Sequence, residues 1–370
     1  MGLAVNASIV DSFASGLGLY AINLIKELAD VYDDPLVYTS MPEVFPFKGI
    51  RLRSIRAALG PAHGKVGHFK RLLWSQLVLP KRLSRDGAKI LFSPIPEGPI
   101  VCPVPTVLVV HDLIPLKFPH DYPLQWQYFQ WFVKPLLRRA KKIIAVSEQT
   151  KSDLIKAFGV SSCQIHVIPG GCAHDVFHSG ISPDSIKRKY QLESYCLYVG
   201  NFHPHKNLLR LIQAFHSLAK NGEYQLVIAG KKDPRYFPAL QSMVERLGLN
   251  SKVVFLGYVP QDDLPGLYAG AEVFILPSLY EGFGLPLLEA MACGVPVIAS
   301  KTGAMKEIIE TSGILVDPTE PQEIADAIHK VLTDKSWRES YSHLGLQQSQ
   351  RYSWHSTAKM VSKVIQACEA

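Results

Sequence analysis

No apolar run in the 370 residues approaches the roughly 18 that a membrane-spanning helix needs. The first residues carry no basic n-region, so neither a leader nor a transmembrane anchor is expected. Asn6 stands where a myristoylation signal requires Ser or Thr. The cysteines (Cys102, Cys163, Cys172, Cys196, Cys293 and Cys368) show no CxxC or metal-ligand spacing. Several lie in apolar segments, as reduced core thiols of a cytoplasmic protein do. DxD-type acidic pairs ahead of the main motif, internal repeats and low-complexity tracts are all missing. With 47% hydrophobic and 19% charged residues, the chain has the composition of a globular protein of two or three domains.

Acids are scarce in one stretch. Lys48, Arg51, Arg53, Arg56, Lys65, Lys70, Arg71, Lys81, Arg82, Arg85 and Lys89 face the single acid Asp86, an excess larger than the net charge of +7 of the whole chain. No nucleic-acid module accompanies them, so nucleic acid is not an expected partner. Two readings remain: a solvated basic face, or a surface for anionic lipid with Trp74 and nearby leucines as shallow anchors. Phe129, Trp131 and Phe132 are read as core rather than as a sugar platform.

The chain repeats strand and helix in two halves, which predicts an α/β protein of two doubly wound, Rossmann-like domains facing a central cleft. The expected divisions are 1–172, 173–350, and a closing helix 351–370 that crosses back to the first domain, with a linker from Pro169 to about Pro183. In the first half, strand Leu3–Val10 leads into Gly16-Leu-Gly18 and a helix from Ala21. This matches a dinucleotide fingerprint only loosely. The next strand ends in Tyr38-Thr39-Ser40, with no acid to hold a ribose, which argues against a dehydrogenase site. Gly16 and Gly18 are instead expected to admit a phosphate close to the backbone. Phe69–Leu79 reads as an amphipathic helix stopped by Pro80. Strand Val104–Val110 delivers His111-Asp112 to a carboxyl end, where ligands gather in such sheets. Asp112 reads as orienting its loop or the imidazole.

The second half holds the most constrained stretch: Ser278-Leu-Tyr-Glu281-Gly282-Phe283-Gly284-Leu285-Pro286-Leu-Leu-Glu289-Ala-Met-Ala-Cys-Gly294. A strand from Glu272 to Pro277 enters a glycine turn, and Pro286 opens a helix that ends at Gly294. Such a helix start attracts an anion, most naturally a phosphate. Glu281 in the turn and Glu289 one helical turn on border that anion. Carboxylates would repel a phosphate but accept hydrogen bonds from hydroxyls. The ligand implied has a phosphate flanked by polyhydroxylated rings, as in a nucleotide-sugar. Lys206, in Gly200-Asn201-Phe-His203-Pro-His205-Lys206-Asn207, supplies a flexible point charge after another strand.

The motif from Ser278 to Gly294, with two glutamates separated by seven residues, resembles the donor-binding motif of the retaining glycosyltransferases of family 4. His111-Asp-Leu-Ile-Pro and Tyr198-Val-Gly-Asn with Lys206-Asn are similar to the bacterial mannosyltransferase branch. The resemblance implies the B-type fold, a nucleoside diphosphate sugar as donor (GDP-mannose first, UDP-sugars next), and a saccharide or lipid-linked saccharide as acceptor. It assigns His111, Glu281 and Lys206 to catalysis. Gly16, Gly18, Asn201, His205, Lys231, Tyr258, Val259, Gly282, Phe283, Gly284, Leu285 and Glu289 fall to donor binding. Glu281 meets the sugar, Glu289 the ribose, and the Gly257–Val259 loop the base. No cofactor or metal is expected, because cations come from the protein. Placement is expected in the cytoplasm, with docking on the inner face of the membrane under the lipid reading. The family usually places an Arg just before this Lys; here none is present. His205, Lys231 and the helix start at Gly284 are the candidate substitutes. A nucleotide-sugar epimerase of similar fold and a non-catalytic sugar-binding homologue are the alternatives.

Overall fold

The computed structural model describes residues 2–11, 16–56, 59–60, 64–219 and 224–369. The chain divides into two compact units: residues 1–171 with 353–370, and residues 172–352.

The first unit is built on a parallel sheet of β1 (Leu3–Asn6), β2 (Leu36–Thr39), β3 (Arg51–Ser54), β4 (Ile90–Ser93), β5 (Thr106–Val110), β6 (Lys142–Ala145) and β7 (Ile165–Val167), in the order 3-2-1-4-5-6-7. β1, β2, β4 and β5 are buried throughout, as strands covered on both faces must be. The order reverses between β1 and β4, so a crevice for ligand opens at their carboxyl ends. Strand β3, carrying Arg51 and Arg53, lies at the edge and has no apolar run to announce it.

Helix α1 (Gly16–Val31) includes the residues expected to form a phosphate loop. Gly16 and Gly18 are its first turn rather than a free loop ahead of it, and a Cβ on Gly16 would meet nothing within 4 Å. Their place at the head of a long helix puts the positive end of its dipole there. The closing helix Trp354–Glu369 packs along α1, with Trp354 edge-on to Tyr20 at 5.1 Å.

The expected helix ending at Pro80 is two helices. Helix α2 (Gly64–Leu77) stops before Val78, and Pro80 occupies the first turn of α3 (Leu79–Arg85), where its missing N–H costs nothing. Trp74, expected at the surface, is 8% exposed and lies 6.4 Å from Tyr38, ring edge to ring face. Arg71, counted in the basic face, is also buried. The reverse holds for Trp131, which is 73% exposed while Phe129 is buried. Here residues Phe129–Val133 form a π-turn, which rotates the helix out of α-phase.

The second unit carries β8 (Tyr195–Val199), β9 (Gln225–Ala229), β10 (Val253–Gly257), β11 (Val273–Leu276), β12 (Val297–Ser300) and β13 (Ile314–Val316), all parallel, in the order 10-9-8-11-12-13. Its reversal falls between β8 and β11. Those two strands deliver the Lys206 loop and the Glu281 turn.

Candidate active site

Four neighbouring strand ends of the second unit carry most of the residues singled out above. In sheet order these are Tyr258 and Val259 after β10, Lys231 after β9, the Asn201–Lys206 loop after β8, and Glu281 after β11. Their loops are tied by backbone. Gly230 N–H donates to Gly257 O at 2.7 Å, and a Cβ on Gly230 would lie 1.8 Å from Gly200 O, a contact no side chain survives. Leu279 N–H donates to His205 O at 2.7 Å, joining the Lys206 loop to the glutamate turn.

Asn207 locks that joint. Its φ of +64° is in the left-handed region, which asparagine tolerates, and its Nδ2 donates to Pro277 O at 3.0 Å and Pro318 O at 2.6 Å. Lys206 is thereby held against Glu281, Nζ to Oε1 at 2.6 Å. Ser278 Oγ donates to the same oxygen at 2.6 Å. The side chains of Lys206 and Glu281 are 15% and 11% exposed, so water screens the pair weakly. Behind the turn, a Cβ on Gly303 would lie 2.8 Å from Glu281 O, and Thr302 Oγ1 donates to Leu279 O at 3.1 Å.

Gly284, at φ +122°, precedes helix Leu285–Ala292, with Pro286 in its first turn. Glu289 sits one turn further on and accepts from Tyr268 Oη at 2.8 Å. Burial raises its pKa to about 7, against the smaller lowering effect of Tyr268. Glu289 is therefore part protonated at neutral pH. Accepting two ribose hydroxyls would favour its ionised form, so nucleotide binding should release a proton. Affinity should then rise about tenfold from pH 6 to 8 and flatten in Glu289→Gln. Titration calorimetry in buffers of different ionisation enthalpy reads that proton directly; a pH-independent affinity in the unaltered chain would remove Glu289 from the ribose.

His205 is the clearest change from expectation. It is 3% exposed, and burial, with Lys206 and then His203 adding to it, holds its imidazole down to about 2. A neutral ring adds no positive charge to the unliganded loop. Lys231 and Asn201 are exposed and Gly282 is buried, with Phe283 and Leu285 between. Lys231 and the helix start at Gly284 are the other candidates for a second positive field. Tyr258 is 51% exposed and Val259 is buried.

His111 lies on the first unit, after β5. Its Nε2 is 2.8 Å from Pro94 O, and burial holds its pKa down to about 4. A carbonyl only accepts, so Nε2 carries the proton and Nδ1 is the acceptor nitrogen. Tyr20 packs edge-on at 4.4 Å. Asp112 Oδ1 accepts from Ile114 N–H at 2.9 Å and so shapes the loop. The Pro94–Glu97 loop that fixes His111 is itself fixed: Tyr128 Oη donates to Pro96 O at 3.1 Å, and Ser93 Oγ donates to Glu97 O at 2.6 Å. Arg71 grips Glu97 twice, Nε to Oε2 at 2.5 Å and Nη2 to Oε1 at 2.8 Å. Burial alone would raise the Glu97 pKa; Arg71, helped by His68, outweighs it and holds it at about 2. Sequence reasoning missed this pair. Its signal was spacing, since Arg71, Trp74 and Ser75 recur on one helical face.

Among the described residues no group of three or more His, Cys, Asp or Glu is placed to hold a metal ion.

The model of the Glycosyltransferase Family 4 matches residues 14–176, and that of the Glycosyl transferases group 1 matches residues 184–348. The chain belongs to glycosyltransferase family 4. This family 4 chain is 35% identical to the O-antigen chain mannosyltransferase B of Escherichia coli over 67% of its own length and 66% of that protein's. It is 28% identical to the O-antigen chain mannosyltransferase RfbU of Salmonella typhimurium, over 89% and 90%. It spans 33% of the length of the serotype-specific mannosyltransferase WbdA of Escherichia coli, at 32% identity. Among solved structures, the sucrose-phosphate synthase of Thermosynechococcus elongatus superposes with a TM-score of 0.81 at 23% identity, over 99% of this chain and 98% of that one. HepE of Anabaena, in complex with UDP and glucose, gives 0.77 at 20%, over 99% and 100%. These likenesses establish the B-type glycosyltransferase fold.

Proposed function

We propose that this family 4 enzyme transfers mannose from GDP-mannose to a saccharide or lipid-linked saccharide, with retention at the anomeric carbon and without a divalent metal. The Lys206–Glu281 pair carries the reading, because it sets one cation and one hydroxyl acceptor at the head of a helix at the switch point. A diphosphate seated there meets Lys206 and the helix dipole. Glu281, released from Lys206, accepts from sugar hydroxyls, and Glu289 accepts from the ribose. As the bond from the sugar to the diphosphate breaks, the acceptor oxygen bonds the same face of the anomeric carbon. Its proton passes to the departing phosphate oxygen. His111, neutral and held through Nε2, supports the sugar as a hydrogen-bonding group and not as a cation. The naming of the E. coli and S. typhimurium relatives as mannosyltransferases supports mannose.

Cations supplied by the protein make the metal dispensable, so activity should survive EDTA. Loss of turnover restored only by Mg²⁺ or Mn²⁺ would contradict this. Incubation with GDP-mannose and a mannose-terminated oligosaccharide, followed by mass and anomeric proton analysis, tests the whole reading. One added hexose with retained configuration is expected. Consumption of UDP-sugars alone would reassign the donor, and a free hexose epimer formed without acceptor would indicate an epimerase.

Among the described residues no helix is long and apolar enough to cross a membrane. We assign the enzyme to the cytoplasm, peripheral on an anionic inner leaflet, on the strength of the exposed basic residues Lys48, Arg53, Arg56, Lys70, Lys81, Arg85 and Lys89. Arg71 is buried and takes no part, and Trp74, also buried, is no exposed anchor on that surface.

A further inference from the structure

Helix α2 turns an apolar stripe to solvent. Val66, Phe69, Leu73 and Leu77 recur at helical spacing and are 61%, 58%, 44% and 63% exposed. A surface helix of a water-soluble protein normally places its charges on that face. Beside the stripe lies a hollow of about 530 Å³ lined by Leu59, Leu73, Trp74, Leu77 and Val78, with Arg56, Lys70 and Arg82 around it. Among the described residues no carboxylate forms an ion pair with any of these three cations, whereas Arg51, Arg53 and Arg71 each have one. Arg82 Nη1 does donate to Ser54 O, at 3.3 Å. An apolar floor ringed by three cations without a carboxylate partner among the described residues suits an aliphatic chain joined to an anionic head.

We propose that this hollow takes one hydrocarbon chain of an anionic membrane lipid, with Arg56, Lys70 and Arg82 on its head group and the α2 stripe in the lipid surface. The proposal rests on the peripheral placement above and deepens it: contact is by an inserted chain at a defined site and not by a diffuse basic face. The charge complementarity commits the site to lipid. A carbohydrate would find few hydrogen-bond partners on Leu59, Leu73, Leu77 and Val78, and a peptide segment would leave its backbone groups unpaired there.

Trp74 makes the site observable. It lines the hollow yet is only 8% exposed, so contact with a plain surface would not reach it. The test uses the whole chain with phosphatidylglycerol vesicles whose acyl chains carry bromine, a contact-range quencher of tryptophan. Flotation at low salt should show binding, lost near 0.5 M salt and absent with phosphatidylcholine alone. Fluorescence should be quenched, and the quenching should persist in Trp126→Phe with Trp131→Phe, both exposed positions. It should disappear in Trp74→Phe while flotation is kept. Leu73→Glu with Leu77→Glu should weaken vesicle binding at least about tenfold without lowering the melting temperature.

Flotation with quenching that vanishes in Trp126→Phe with Trp131→Phe would overturn the hollow and leave surface docking intact. No flotation at low salt would overturn both. Because the two exposed-tryptophan substitutions leave the core untouched, this decision does not depend on Trp74→Phe folding.

Discussion

Replacing Lys206 with alanine is expected to slow transfer by about 10²–10³-fold, the usual cost of removing one preorganised donor aimed at developing charge. The loss should fall on kcat, because charge on the leaving diphosphate grows as the bond breaks. The change also strands Glu281, whose Oε1 then keeps Ser278 as its one partner among the described residues. Nucleotide affinity should fall much less than turnover. His205→Ala provides the contrast. A ring whose pKa is held at about 2 is neutral across pH 5.5 to 8, so its removal should give a small effect with no change in the pH profile. Steady-state rates of both variants over that range decide the matter. A His205→Ala defect that grows as pH falls would mean that the imidazole carries charge in the working enzyme.

Arg71→Ala should be the most damaging change to the fold of the first unit. It leaves Glu97 buried without its guanidinium, and breaking such a pair from one side costs about 3–5 kcal/mol. Denaturant unfolding should show this against Lys70→Ala, an exposed neighbour expected to be near neutral. The pH dependence has a defined sign. The Glu97 pKa is depressed, so its stabilising contribution is present above the unfolded value near 4.5 and fades as pH falls toward 2. Arg71→Ala should lose that acid-side slope. An equal, small loss for both variants would show that the pair contributes nothing beyond a surface bridge. The effect extends to His111, because Glu97 closes the loop whose Pro94 O accepts from its Nε2.

How much of this was legible in the sequence depends on whether a residue was fixed by its own neighbours or by distant ones. Glu281, Gly284, Pro286 and Glu289 could be placed because a strand, a glycine turn and a helix start succeed one another within a few residues, each with a local physical signal. Lys206 could be assigned to phosphate, but not to Glu281, since the contact joins positions on two different strand ends. Asn207, Ser278, Tyr268 and Gly303 stayed hidden for the same reason. In the first unit, the run of basic residues concealed that one of them, Arg71, points inward: charge counts along a chain carry no information on which helical face is covered. Trp131 was placed in the core on its apolar character alone, and the π-turn at Phe129–Val133 carries no pattern that would have corrected it. His205 looked like a spare cation because proximity to Lys206 in sequence says nothing of its burial.

The central assignment, a nucleoside diphosphate at the head of helix Leu285–Ala292 with Glu281 on the sugar, is tested most directly by titration calorimetry of GDP and GDP-mannose into the unaltered chain and Glu281→Ala. The unaltered chain should bind both, GDP-mannose more tightly. Glu281→Ala should keep GDP affinity within a few-fold and lose the increment due to mannose. Failure of the unaltered chain to bind any nucleoside diphosphate or its sugar, or an equal loss of GDP and GDP-mannose binding in Glu281→Ala, would contradict it.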